Sequence, residues 1–280
     1  MRGPWIFLQE LTLGGMFKIL TSAQNPKIKQ LVRLKERRER DATGLFLIEG
    51  YREIQRAALG GIEFDTLFVC QELFLGSNEP RLIEDVATTT FELPAHLFEK
   101  ISYRDRPDGL IGIARQMKKK LSDLPLKKSP LYIVAEAIEK PGNLGTILRS
   151  ADGVGADGVI VCDRCTDIYN PNVVRASVGT LFTLPVVEAE GSETLQWLKG
   201  RGIQIVAATP SAELEYTAAN LLGPIAIAVG TEQLGLSERW MKAADICVKI
   251  PMCGVADSLN VAMATTLLIY EALRQRHLLR

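Results

Sequence analysis

Long apolar runs are missing from this 280-residue chain. No stretch approaches the roughly 18–20 residues that cross a bilayer, so no membrane span is expected. The first ten residues, MRGPWIFLQE, hold a short apolar patch that Gln9 and Glu10 interrupt. Neither a signal-peptide core nor a small-residue cleavage site follows, so residues 1–15 read as an extension ahead of a second possible start at Met16. Histidine is scarce, with only His96 and His277. The five cysteines are odd in number, which argues against a disulfide framework and for a reducing, cytoplasmic setting. Cys162 and Cys165 have CxxC spacing, but Cys247 and Cys253 lie too far off to complete a zinc knuckle, so no metal is expected. No Walker-type lysine loop and no Gly-x-Ser-x-Gly elbow is present. One GxGxxG string, Gly153 to Gly158, follows a helix pattern and precedes a strand pattern. A dinucleotide loop needs the reverse order, so the string reads as a turn.

What the chain does have is an uneven charge layout beneath a formal net charge of zero. Residues 1–115 carry 16 basic and 16 acidic groups, residues 116–130 five lysines and one aspartate, and residues 131–280 12 basic and 16 acidic groups. Between Lys27 and Arg40 there are seven basic and two acidic side chains. Positive charge gathered on one helix and one connecting segment suits contact with a phosphate backbone. A solvated helix face beside a solvated linker fits the layout as well.

Hydrophobic periodicity divides the chain. Pro26 opens the basic helix. Strand patterns at Leu45–Ile48, Thr66–Cys70, Thr89–Leu93 and Leu110–Ala114 alternate with helix patterns at Tyr51–Leu59 and Arg81–Ala87, giving a small α/β domain over residues 16–115. Residues 116–130, QMKKKLSDLPLKKSP, have no periodicity and read as a linker. Residues 131–280 alternate again. Strands are expected at Leu131–Ala135, Gly158–Val161, Gln204–Ala208, Ile225–Val229 and Ile246–Ile250. These continuous apolar runs belong to a mainly parallel sheet covered on both faces. Helices are expected at Leu144–Asp152, Val173–Val178, Glu193–Lys199, Ser237–Ala243 and Leu259–Arg276. The last is apolar almost all round from Val261 to Tyr270, which implies burial, including burial against a second subunit.

Parallel α/β sheets bind ligands at the carboxyl ends of their strands. Four post-strand loops draw attention: Glu139 to Gly145 with Arg149 beyond it, Thr209-Pro210, Gly230 to Leu236, and Pro251 to Asn260. Asn143 reads as a helix cap or as an amide facing a ligand. Arg149 reads as a surface residue or as a grip on phosphate. Glu232 reads as a charge partner for the next helix, and Ser258 as the cap of the last one.

Four blocks in order, PGNLGTILRSADGVGADGVIV, NPNVVRASVGTLFTLPV, IAIAVGTEQLGLS and IPMCGVADSLNVAMATTLLIYEALR, resemble the motifs of the SpoU (TrmH-like) family of RNA ribose 2′-O-methyltransferases. The resemblance covers residues 131–280 nearly end to end. Residues 45–115, with EGYREIQRAALGG and KISYRDRPDGLIGIA, resemble the RNA-binding domain that many members carry in front, itself similar to a small ribosomal protein.

The resemblance implies S-adenosylmethionine as cofactor and a trefoil knot in the C-terminal α/β domain. It implies a homodimer through that domain and an RNA substrate, foremost large-subunit rRNA. The alternatives are tRNA, or RNA binding without chemistry on the same fold; a nucleotide-dependent oxidoreductase built on the 153–158 glycines is a third reading, which their reversed order opposes. Carried over residue by residue, Thr209, Gly230, Ile250 and Leu259 hold the adenosine through loop backbone. Arg149, Asn143, Glu232, Ser258 and Asn260 form the catalytic group. Arginine keeps its proton in proteins, so Arg149 is read as gripping phosphate or the emerging alkoxide rather than as a base. Lys27, Lys29, Arg33, Lys35, Arg37, Arg38 and Arg40 are expected on RNA. Two departures stand out: Ala262 replaces a second serine of the last motif, and Asn172 occupies a position where lysine is common.

Overall fold

The computed structural model describes residues 17–278; the expected extension at residues 1–15 lies outside them. The first half contains β1 (Lys18–Ile19), α1 (Pro26–Arg33), α2 (Arg37–Thr43), β2 (Leu45–Glu49), α3 (Tyr51–Leu59), β3 (Phe64–Val69), α4 (Glu79–Val86), β4 (Thr89–Glu92), α5 (Ala95–Ile101) and β5 (Leu110–Arg115). Its strands order as β1-β4-β3-β5-β2, with β5 antiparallel to both neighbours.

The second half contains β6 (Leu131–Glu136), α6 (Pro141–Gly153), β7 (Gly158–Cys162), α7 (Pro171–Ala176), α8 (Thr180–Thr183), β8 (Val186–Ala189), α9 (Gly191–Lys199), β9 (Gln204–Ala208), β10 (Leu214–Glu215), β11 (Ile225–Val229), α10 (Glu238–Ala243), β12 (Ile246–Lys249) and α11 (Val261–Leu278). Its strands order as β10-β12-β9-β11-β6-β7-β8, all parallel. The two strands that periodicity missed, β8 and β10, are short and sit at the sheet edges. From β12 the chain crosses back over the ends of β9 and β11 to α11, which packs on α6 and β11.

Why the central strands are apolar throughout is visible in how they divide. Ile133, Ala135, Ile225 and Ile227 face the core under α6, α7 and α11. Their neighbours Tyr132, Val134, Ala226 and Ala228 face the core under α9 and α10. Successive side chains point to opposite faces, so a strand covered on both sides has no polar position. The glycine string 153–158 is the turn between α6 and β7, with Gly155 left-handed at φ 65°.

Three expectations need correction. The basic segment 27–40 is not one helix: it breaks after Arg33 and restarts at Arg37. Arg40 explains how the break is tolerated. It is buried, and its guanidinium donates to the freed carbonyls of Leu34 (2.9 Å) and Lys35 (2.7 Å) and to Asp167 (2.5 Å) of the second half. It therefore faces the protein interior and not RNA. The segment 116–130 is not a free tether either. Leu121 and Leu124 are buried in the core of the second half, where the Leu124 side chain lies against Gly158. Met117 exchanges backbone hydrogen bonds with the Tyr169 hydroxyl. The third concerns α11, which is not buried all round: Met263, Leu267 and Tyr270 form one exposed stripe, while Leu268, Ile269 and Ala272 are buried.

The two halves share one core. The Phe46 ring lies 4.5 Å from Tyr169 and 5.8 Å from Phe182, centroid to centroid. Arg56 donates to the Val178 carbonyl at 2.6 Å, and Gly60 packs directly on the Phe182 carbonyl.

Candidate functional site

At the carboxyl ends of β9, β11 and β12, three loops enclose a cleft of about 540 Å³. Thr209, Gly230, Ile250 and Leu259, the four positions expected to hold adenosine, all line it, and so do Glu232 and Ser258. The volume falls within the range of about 300–1,000 Å³ common to small-molecule sites. Each loop is fixed by its own chemistry. Thr209 N donates to Val248 O at 2.9 Å. Thr231 and Gly235 exchange backbone hydrogen bonds of 3.0 and 3.1 Å, closing residues 231–235 into a tight loop. A side chain on Gly230 would overlap the Gly235 carbonyl, so only glycine lets this loop fold back. Buried Glu136 ties down the far end: its carboxylate accepts from Ser237 N (2.8 Å) and Ser237 Oγ (2.6 Å).

A polar cluster sits at the rim. Asn143 Nδ2 donates to Glu232 Oε1, and Lys140 Nζ donates to Glu232 Oε2. Asn260 Nδ2 donates to Asn143 Oδ1 at 3.2 Å. The hydrogen bond and charge of Glu232 hold the Lys140 ammonium above its ordinary pKa, so it stays charged. Asn260 also accepts from Ala262 N at 3.0 Å and Met263 N at 3.4 Å. Asn260 rather than Ser258 therefore caps α11, and the Ser258 side chain is left to the cleft. Ala262 is buried against the core. Asn172 is exposed at the start of α7, which Asn170 caps by accepting from Asn172 N at 2.9 Å.

Arg149 stands apart. It is exposed on α6 and makes no ion pair among the described residues. At 1.5 Å per residue it is about 9 Å along the helix from Asn143, and it does not line the cleft. The structure thus joins Asn143, Glu232 and Asn260, sets Ser258 in the same cleft, and leaves Arg149 on the adjoining outer surface. Lys140 was overlooked in the sequence, although it lies in the same Glu-Lys-Pro-Gly-Asn turn as Asn143.

Of the other basic positions, Lys27 pairs with Asp65 (3.6 Å), and Lys35 donates to Ser102 O (3.3 Å). Burial lowers the Lys35 pKa, an effect that nearby Glu49 partly offsets. Arg37 bonds Cys165 O (3.1 Å) and pairs with Asp41 (3.5 Å). Lys29, Arg33 and Arg38 are exposed.

Residues 130–270, half of the chain, match the SpoU rRNA Methylase family. The chain belongs to the SpoU family. Residues 25–112 match the MRM3-like substrate binding domain. A 23S rRNA (uridine(2479)-2′-O)-methyltransferase of Streptomyces viridochromogenes is 32% identical over 250 residues, 87% of each chain. A solved RNA 2′-O ribose methyltransferase is 45% identical, with a TM-score of 0.83 over 92% of this chain and 99% of that one. An AdoMet-bound rRNA methyltransferase from Sinorhizobium meliloti is 30% identical, with a TM-score of 0.85 over 93% of this chain and 99% of that one. Three of the four SpoU blocks found in the sequence thus supply the cleft and its rim, and the fold matches along nearly the whole chain. Among the described residues no group of acidic, cysteine or histidine side chains is placed to hold a metal ion, and no helix is long and apolar enough to cross a membrane.

Proposed function

We propose that this SpoU-family protein is an enzyme that transfers a methyl group from S-adenosylmethionine to a ribose 2′-oxygen of large-subunit rRNA, in the cytoplasm and as a homodimer. The observation that carries the reading is the cleft, whose wall gathers Thr209, Gly230, Ile250 and Leu259 beside the Asn143–Glu232–Asn260 cluster. The cleft suits this cofactor. Turn backbone brought close by Gly230 offers hydrogen-bonding groups to a nucleoside, and Val229, Leu236 and Met241 offer apolar contact to its base. When bound, the cofactor supplies an electrophilic methyl on a sulfonium.

This chain's own residues do the rest. Asn143 and Lys140 orient Glu232 at the mouth, fixing one wall against which the ribose is placed. The attacking hydroxyl develops negative charge as its proton passes to water or the adjoining phosphate, and a fixed cation stabilises that change most. Arg149, exposed and free of an ion pair among the described residues, is the cation for it; it remains protonated and grips the adjoining phosphate or the emerging oxyanion. Lys29, Arg33 and Arg38 add salt-dependent affinity for the RNA backbone. The exposed stripe Met263–Leu267–Tyr270 on α11 is the surface for a second copy, since an apolar face of this kind favours burial.

The test is transfer of labelled methyl from S-adenosylmethionine to rRNA, followed by mapping of 2′-O-methyl positions in cells with and without the protein. Binding of RNA with no transfer would replace the enzyme with a binding protein on the same fold. A methylated tRNA would change the substrate.

A further inference from the structure

A second cavity, of about 480 Å³, lies in the front domain where α3 begins, and its charged groups hold the chain itself. Asp108 Oδ2 accepts from Tyr51 N at 2.8 Å and so caps α3. Glu79 Oε1 accepts from Leu75 N (3.1 Å) and Gly76 N (2.9 Å). Arg104 Nη2 donates to the Glu49 carbonyl (2.6 Å) and pairs with Glu53 (2.7 Å). The cofactor cleft differs in this respect. Among the described residues that line it, Glu232 and Asp257 are the charged ones, both exposed at the rim, and no lysine, arginine or histidine joins them. Glu232 is engaged by the protein: Asn143 Nδ2 donates to one carboxylate oxygen and Lys140 Nζ to the other. Asp257 makes no ion pair and no side-chain hydrogen bond among the described residues. The basic residue nearest to it in the chain, Lys249, ends β12 and does not line the cleft.

No structural task accounts for Asp257. Asn260 caps α11, and Asp257 lies four residues ahead of Val261, too far out for its charge to favour the positive end of that helix. The segment that carries Asp257 is nevertheless held at both ends, by the bond from Thr209 N to Val248 O (2.9 Å) in β12 and by the Asn260 cap. The neighbouring hydroxyls of Thr209 and Ser211 are turned to each other at 2.9 Å. An unpaired carboxylate is thus kept at a cleft whose other contacts are turn backbone, neutral polar groups and apolar side chains.

We propose that Asp257 is the residue through which this chain favours the charged methyl donor over its spent product. S-adenosylmethionine carries a carboxylate, an ammonium and a sulfonium. The first two cancel, so the sulfonium is the unbalanced charge. S-adenosylhomocysteine is a thioether with the same adenosine and the same amino-acid end, and its net charge is zero. Backbone and apolar contacts hold the two molecules alike, whereas a carboxylate without a partner attracts only the one that carries net positive charge. Glu232, already matched by Lys140, contributes little to this difference. Because Asp257 is exposed, the attraction is of the screened kind, worth about fivefold in affinity at low salt, the scale of two unit charges about 4 Å apart in a water-like medium. The attraction ends when the methyl group leaves, so the product is released more readily than the donor. This inference rests on the S-adenosylmethionine reading above.

The experiment is calorimetric titration of the full chain, without RNA, by S-adenosylmethionine, S-adenosylhomocysteine and sinefungin, which has an amine cation in place of the methylsulfonium. The quantity read is the ratio of affinities, donor to product. Asp257→Asn is expected to lower that ratio about fivefold at low salt by weakening S-adenosylmethionine and sinefungin while S-adenosylhomocysteine changes little. Asp257→Glu keeps the wild-type ratio. In the wild type the ratio falls as salt rises from about 0.02 M to about 0.5 M, and in Asp257→Asn it does not. A ratio unchanged by Asp257→Asn overturns the proposal, and so does an equal loss for all three ligands, which would assign Asp257 to the shared ammonium or to loop shape. Should Asp257→Asn fail to fold, the wild-type salt series decides, and a ratio independent of salt overturns the proposal. Binding of both cofactor forms with an unchanged ratio removes only the role of Asp257. Binding of neither removes the cofactor reading and this inference with it.

Discussion

In the catalytic half the cleft is made of turn backbone and apolar side chains. Its wall is turn peptide held by Gly230, Thr231 and Gly235, with charged side chains confined to the rim. In the front half the cavity is made of side chains. Glu53, Glu79, Arg104 and Asp108 are drawn inside, with exposed Arg52 at the rim. The difference follows from what each set of groups holds. Peptide groups at converging strand ends suit one constant ligand used at every turnover. The buried carboxylates and guanidinium hold the chain itself: Asp108 caps α3, Glu79 fixes the turn at Leu75–Gly76, and Arg104 binds the Glu49 carbonyl.

Predictions that would break this contrast run from large to small. Arg149→Ala should lower methyl transfer by about a thousandfold, the scale of losing a stabiliser of developing charge, while S-adenosylmethionine affinity measured by calorimetry changes little; wild-type turnover would remove Arg149 from the reaction. Arg40→Met strands the buried Asp167 carboxylate and should destabilise the chain by about 3–5 kcal/mol, read as a fall in the denaturation midpoint. The double variant Arg40→Met/Asp167→Leu should recover much of that loss. Gly230→Ala forces the 231–235 loop open and should weaken cofactor binding, measured by calorimetry, by about tenfold or more, the scale of ~1.4 kcal/mol of lost interaction. Charge reversal at Lys29, Arg33 or Arg38 should flatten the salt dependence of RNA binding by up to about one unit of log–log slope each. The same change at Arg40 should act on folding instead.

The smallest effect concerns pH. Burial raises the Glu49 carboxyl pKa, against the opposing hydrogen bonds of Ser102 and Tyr103. The native state therefore holds this proton more firmly than the unfolded chain does. The stabilisation is present below the ordinary carboxylate range and is lost as pH rises through the native value. Glu49→Gln should accordingly gain on the wild type as pH rises from 4 to 7, as followed by urea denaturation.

Most of the architecture could be read from the chain because it rests on local pattern. Gln204–Ala208, Ile225–Val229 and Tyr51–Leu59 have the expected bounds, since apolar runs and glycine stops act over a few residues. The family motifs picked out Thr209, Gly230, Ile250 and Leu259, and all four line one cleft. Three-dimensional chemistry was not legible. Arg40 looks like its neighbours Arg37 and Arg38 in any charge count, and only the broken helix and distant Asp167 turn it inward. The linker lysines hid Leu121 and Leu124, whose burial depends on a sheet formed later in the chain. Ser258 and Asn260 are equally good caps by composition; the start of α11 at Val261 selects Asn260. The front cavity gave no signal because its parts come from four separate segments.

Phe46 belongs by sequence to the front domain and by packing to Tyr169 and Phe182 of the other half. The seam is therefore continuous interior, and the two domains should melt in a single cooperative transition. A front domain borrowed from another family member could not be grafted here as a cassette unless its aromatic plug came with a matching socket. The nucleic-acid specificity of this chain and its thermal endurance are, through that one ring, inherited together.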